Sequence, residues 1–189
     1  YKNLVKASTF KFPYGIDING NTIYDKTKDL SDRVIKTKVS DIFEPEDTID
    51  AYYSISYRLW EGHQRIKERN KANGKGFGYS LFNSESVYCS TISARYWKDG
   101  SEILIDQSDK GLNPRRLTPV EAGRLQGYRI IGNGWQKPEC AVNANYNDSN
   151  QEYKIVVSRK EAYHQFGNSV ALPVIKRLAK EIVAQLLNE

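Results

Sequence analysis

The apolar positions change period several times along the chain, and each change marks an element. Over residues 54–73, Leu59, Trp60, His63 and Ile66 recur at steps of three and four, one face of a helix. Ser54 or Ser56 is placed to cap its start, and Asn73-Gly74 to stop it. From Phe77 to Phe82, Val87 to Tyr96 and Glu102 to Asp106 the pattern becomes strand-like, with Asp99-Gly100 as a hairpin turn before the last run. Helical spacing returns at 117–127. Thr118 fits the N-cap, Pro119 the first helical position, Glu121 the reciprocal position of a capping box, and Gly127 the position just past the end. Ser158 and Glu161 repeat the capping-box spacing and open a short helix ending at Gly167. The last helix has Pro173 in its first turn and an apolar stripe of Ile175, Leu178, Ala179, Ile182 and Leu186. Lys176, Arg177, Lys180 and Glu181 fall largely outside that stripe.

The remaining stretches are less regular. Residues 1–50 read as loops and short strands, with Asn19-Gly20 as a tight turn between two β-like runs in Ile16–Tyr24. Residues 26–38 are mostly polar and expected to be exposed, and 128–152, rich in Asn, Gly and Asp, read as a surface loop. There is no internal repeat. The mixture predicts an α+β fold.

Composition narrows the picture. The 189 residues suffice for one domain or two small ones, and 39% hydrophobic content supports a modest core. A net charge of +5 fits nucleic acid or another anionic surface without choosing between them. No apolar run reaches the roughly 18 residues of a membrane span, and no signal peptide is recognisable. Cys89 and Cys140 make no disulfide framework, so a reducing cytoplasm is the expected compartment. The sequence holds no methionine and begins at Tyr1, which suggests a trimmed start or a piece of something longer.

Several residue sets suit contact with a polyanion. Between His63 and Lys75 lie Arg65, Lys67, Arg69, Lys71 and Lys75 against Glu68 alone. Arg65 and Arg69, four apart, share a helical face; such cations give affinity and register, or form an ordinary solvated face. Gly74, Gly76 and Gly78 allow close backbone approach to phosphate or base edges, or punctuate a loop; they follow a helix and precede a strand, the reverse of a dinucleotide fingerprint. Thr91, Ser93 and Arg95 alternate and would share one strand face, with Arg95 able to fork to a guanine. Arg115 and Arg116 serve either the DNA backbone or as braces, and Arg124 reads as structural. His63 and His164 lack partners at metal-ligand spacing, so no metal is expected. Trp60, Trp97 and Trp135 read as packing residues.

Three stretches carry a family resemblance. NPRRLTPVEAGRLQGY (113–128) resembles the ninth conserved motif of the bacterial C5-cytosine-specific DNA methyltransferases, and AYHQFGNSVALPV (162–174) their tenth. GKGFGYSL (74–81) followed by TISARYWKDGSEILI (91–105) is similar to the target-recognition region of members that methylate short sites such as CCGG or CCWGG, with Thr91-Ile92 matching the family's Thr-Leu pair. Arg129-Ile130 stands where the family usually has Pro-Asp, and the loop that follows is longer than usual. The cofactor-loop Phe-x-Gly-x-Gly, the Pro-Cys-Gln of the nucleophile and the Glu-Asn-Val that holds the cytosine do not occur in the chain.

The resemblance implies a small β-rich target-recognition domain at 1–112. Residues 113–189 would then complete a Rossmann-like α/β domain lying outside the chain. It implies S-adenosylmethionine as methyl donor, with Asn168, Ser169 and Val170 contributing part of its pocket, and double-stranded DNA as partner, in restriction–modification. The nucleophile would come from a missing N-terminal catalytic domain or a separate catalytic subunit, so the chain alone is expected to be inactive, with no catalytic residue of its own. The alternatives are a specificity subunit of a split enzyme and a non-catalytic DNA-binding module. An unrelated protein- or RNA-binding domain, stacking bases on Tyr79, Tyr88 and Tyr96, is a rival of another class.

Overall fold

The computed structural model describes residues 11–16, 21–24, 37–130 and 153–187. Five short strands and five helices appear among them. The strands are β1 (Gly15–Ile16), β2 (Thr22–Ile23), β3 (Leu81–Phe82), β4 (Leu104–Ile105) and β5 (Arg115–Arg116). The helices are α1 (Tyr57–Ala72), α2 (Tyr96–Asp99), α3 (Pro119–Leu125), α4 (Arg159–Asn168) and α5 (Leu172–Leu187). This is the mixed α and β composition that the pattern predicts.

Helix ends follow the local rules. The Ser56 side chain accepts from the Leu59 amide and Gly74 takes φ +68° just past the end of α1. Thr118 and Glu121 form both halves of the capping box of α3, with Pro119 at its first position. At α4 Ser158 accepts from the Glu161 amide at 3.3 Å, and the helix runs one residue past Gly167. The antiparallel β1–β2 pairing matches the expected short runs around Asn19-Gly20, although that turn lies outside the described residues.

The expected hairpin at Asp99-Gly100 is replaced by a crossover. The Ser93 hydroxyl accepts from the Arg95 amide at 3.2 Å and the Ser93 carbonyl from the Tyr96 amide at 3.1 Å, so the chain turns where extended structure is predicted. Gly100, at φ +65°, then ends the helical turn α2. As a result β4 lies parallel to β3, with Leu81 opposite Leu104 and Phe82 opposite Ile105. β5 closes the sheet antiparallel to β4.

Among the described residues the core draws on segments from Val39 to Tyr163. Val39, Ile92, Tyr96, Ile103, Ile105, Leu117, Ala122 and Tyr163 form one buried cluster. Leu117 lies within it between two tyrosines. Its amide donates to the Tyr96 hydroxyl at 2.8 Å, and its carbonyl accepts from the Tyr163 hydroxyl at 2.5 Å. Burial pushes both phenols well above their ordinary value, so they remain protonated donors. Two segments touch so closely that only glycine fits. A Cβ on Gly167 would lie 2.3 Å from the Ser93 carbonyl, and one on Gly127 2.3 Å from Pro173 Cδ.

The last helix departs from expectation in which face it buries. Glu181 is only 7% exposed and accepts from the Thr22 hydroxyl at 3.0 Å and the Tyr24 hydroxyl at 2.6 Å. Arg177 pairs with the same carboxylate at 3.0 Å. Ile175 and Ile182 are left about half exposed. The β1–β2 hairpin presents hydroxyls to α5, so a polar face of the helix turns toward it.

Candidate nucleic-acid interface

α1 positions the basic segment as expected. Arg65, Arg69, Lys71 and Lys75 are exposed, and among the described residues none joins an ion pair. The helix is anchored from its other side by His63, which is buried, and by Trp60, which meets the Tyr79 ring edge-on at 4.7 Å. Lys67 is used internally. Its ammonium lies 4.0 Å from the Tyr79 ring centroid and donates to the Tyr79 carbonyl.

The glycines that follow divide into two kinds. Gly74 and Gly76 have open space where a Cβ would be, so their backbone is accessible to a ligand. Gly78 sits against α1, where a Cβ would come within 2.8 Å of Lys67 Cγ. Its glycine is thus required by packing. The Asn70 side chain ties the turn back to the helix by donating to the Phe77 carbonyl at 2.9 Å.

Thr91, Ser93 and Arg95 do not share a strand face, because residues 91–93 are irregular and 94–95 form a turn. Thr91 and Arg95 are exposed. The Ser93 hydroxyl is bonded to the Glu102 carboxylate and is therefore occupied internally.

Arg115 and Arg116 part company. Arg115 is 5% exposed, with its terminal nitrogens on the two carboxylate oxygens of Glu121 at 2.7 and 2.9 Å. Of the two roles open to it, the geometry supplies the brace. Glu121 is fully buried and also accepts from the Thr118 and Glu44 amides, so the buried charge has four donors. The neighbouring Thr118 hydroxyl donates to Glu44 at 2.5 Å. Arg124 completes this stitching, with Nε on the Ile130 carbonyl and Nη1 on those of Ile42 and Phe43. Burial lowers its guanidinium pKa. Arg116 stays nearer the surface, donating to the Trp97 carbonyl at 3.3 Å.

At the junction of α4 and α5, Asn168 and Val170 are exposed. Ser169 turns inward, its hydroxyl donating to the Phe166 carbonyl at 2.8 Å. The junction is held by Gln126, whose side chain donates to the Phe166 carbonyl and whose own carbonyl accepts from the Leu172 amide. The two stretches resembling the ninth and tenth motifs are thus in direct contact.

The stacking platform of the RNA-binding alternative is not assembled. Tyr96 is fully buried and Tyr79 lies between Trp60 and Lys67, leaving Tyr88 alone well exposed. Trp60 and Trp97 are half-buried packing residues, while Trp135 and the 131–152 part of the expected loop lie outside the described residues. Sequence reasoning missed the buried role of Glu121 and the partners of Glu181. Their only signal is a carboxylate at helical spacing, which surface residues share. Among the described residues, no helix is long and apolar enough to cross a membrane.

Comparison with known proteins converges on one family. Residues 7–184 match the family profile "C-5 cytosine-specific DNA methylase". The chain is 50% identical over 151 residues to the Type II methyltransferase M.SsoII of Shigella sonnei, covering 80% of this chain and 33% of that protein. It is 42% identical over 168 residues to the Type II methyltransferase M.DsaV of Dactylococcopsis salina, covering 89% of this chain and 40% of that protein. The chain therefore spans about a third to two fifths of the length of these relatives. The crystal structure of S. pombe Dnmt2 methyltransferase superposes with a TM-score of 0.52 at 20% identity, over 79% of this chain and 42% of that one, a likeness of fold.

Proposed function

This chain belongs to the C-5 cytosine-specific DNA methylase family, and from that premise we propose that it is the DNA-recognition part of a DNA (cytosine-5-)-methyltransferase of a restriction–modification system. The observation that carries the reading is the exposed cationic face of α1 running into the open backbone of Gly74 and Gly76. Arg65, Arg69 and Lys75 would hold phosphates and fix register, and the glycine turn would bring backbone close to the duplex. Thr91 and Arg95, both exposed, are the candidates for contacts near the bases of a short C- and G-rich site.

The catalytic segments named above do not occur in the sequence. The nucleophile and the rest of the methyl-donor pocket would come from an N-terminal catalytic domain or a separate subunit. The residues at the α4–α5 junction suit S-adenosylmethionine in kind. Asn168 offers an exposed amide with donor and acceptor, and Val170 offers exposed apolar surface. The cofactor supplies an activated methyl group. This chain's part is to shape one wall of its pocket and to hold the duplex while a base is displaced, at a cost of a few kcal/mol. The apolar residues left open on α5 would pack on the catalytic domain.

The test separates recognition from transfer. The chain alone should bind duplex DNA with site preference and transfer no labelled methyl group. Adding a catalytic segment with the Pro-Cys-Gln loop should restore transfer. Methyl transfer by the chain alone, or no preference for duplex DNA over RNA, would overturn the reading.

A further inference from the structure

A second set of cations, separate from α1, is held on the surface by aromatic rings. The Tyr52 ring, 56% exposed, has the guanidinium carbons of Arg159 and Arg116 at 4.4 and 5.1 Å from its centroid. The Lys160 ammonium lies 4.6 Å from the Trp97 centroid, and the Trp97 carbonyl accepts from Arg116. These five side chains come from the turn before α1, from α2, from β5 and from the start of α4. They form one continuous patch in which cations and rings alternate. The path of Arg116 is built in, since a Cβ on Gly100 would sit 2.6 Å from its Cγ.

No carboxylate among the described residues pairs with the charges of this patch, although the Arg159 guanidinium also lies beside the Tyr53 hydroxyl. Among the described residues, Arg116, Arg159 and Lys160 join no ion pair, whereas Arg115, Lys38, Lys110 and Arg177 each do. A cation over a ring is attracted by its quadrupole and restrained in position. The exposed Arg159 guanidinium and Lys160 ammonium, so held, keep N–H groups available to an anionic acceptor. Both rings already carry cations, so they suit holding charge better than stacking on unpaired bases.

Resting on the reading of the chain as a DNA-recognition part, we infer that Tyr52, Trp97, Arg116, Arg159 and Lys160 form a second contact for the sugar–phosphate backbone of duplex DNA. The contact adds affinity without reading sequence, and it does so independently of α1 and its glycine turn.

The experiment compares the 189-residue chain with Arg159→Gln/Lys160→Gln and with Arg65→Ala/Arg69→Ala, all binding duplex DNA over a range of salt. Arg159 and Lys160 are exposed, so losing their ring contacts should lower the melting temperature by only a few degrees, and binding is compared at a temperature where the chains are folded. Each lost phosphate contact lowers the slope of log affinity against log salt by about 0.9. The expected result for Arg159→Gln/Lys160→Gln is a slope shallower by about 2, with the ratio of specific to non-specific affinity unchanged. An unchanged slope in that variant, while Arg65→Ala/Arg69→Ala flattens it, would overturn this proposal and leave the wider reading standing. A folded chain that binds no duplex DNA would overturn both.

Discussion

Arg115 and Glu121 meet in the interior as a two-point ion pair, at 2.7 and 2.9 Å, with both side chains almost wholly out of solvent. Breaking a buried pair by removing one partner typically costs about 3–5 kcal/mol, because the other charge is stranded. Arg115→Ala should therefore lower stability by roughly that amount in chemical denaturation. At a temperature where the variant is folded, the salt dependence of its DNA binding should match the parent. A shallower slope in folded Arg115→Ala would instead restore Arg115 as a phosphate contact.

Gly167 takes its identity from a neighbour distant in the chain. A methyl group there would overlap the backbone of Ser93 and Ala94 at 2.3–2.4 Å, and backbone yields less readily than a flexible side chain. Gly167→Ala should cost about 1–3 kcal/mol by overpacking. Thermal melting checks this, and a melting temperature equal to the parent's would show that the segments do not close so tightly.

Arg95 is exposed at the turn before α2. If it reaches a base edge, Arg95→Ala should reduce specific binding by a factor corresponding to about 1–3 kcal/mol, with a smaller effect on non-specific DNA. Competition binding against a scrambled duplex reads the two together. Equal losses on both would make Arg95 a backbone contact.

The clasp between the hairpin and α5 should depend on pH at both ends. Hydrogen bonding from Tyr24, aided by Thr22 and Arg177, holds the Glu181 carboxyl below the usual carboxylate range. A lowered folded pKa contributes stability that is present above the unfolded value and lost as pH falls through the folded one. The Tyr24 phenol is raised, chiefly by the same bond, so its contribution is present below its ordinary value of 10.0 and lost as pH rises through the folded value. The protection of the Tyr14 amide, which donates to the Ile23 carbonyl at 2.8 Å, should fall in acid and in strong base when its exchange rate is taken relative to the intrinsic rate at each pH. Glu181→Gln should remove the acid limb, and persistence of that limb would assign it elsewhere.

What was legible in the sequence was mostly local. Thr118, Pro119 and Glu121 fix the start of α3 within four residues, and the structure carries all three in the expected roles. The Arg115–Glu121 pair was not legible, since Glu121 already had a local task and a buried charge has no distinguishing pattern. The strand-like alternation at 91–95 does not become a strand because Ser93 bends the chain through its own hydroxyl, a choice made by one side chain against the general alternation. The parallel pairing of β3 and β4 depends on the crossover that this bend begins. The exposed face of α1 was readable because its cations follow helical spacing. The patch around Tyr52 and Trp97 was not, since its members come from four separate stretches.

The bond from Tyr24 to Glu181 joins residues 157 apart in sequence. A two-stranded ribbon is marginal by itself in water, and this one has its covering helix so much later in the chain. At ribosomal rates of about 5–20 residues per second, the hairpin would wait roughly 8–30 s for that helix to be made. Until then the ribbon lacks the carboxylate that ties it down, so its contribution to the fold is deferred until α5 is made.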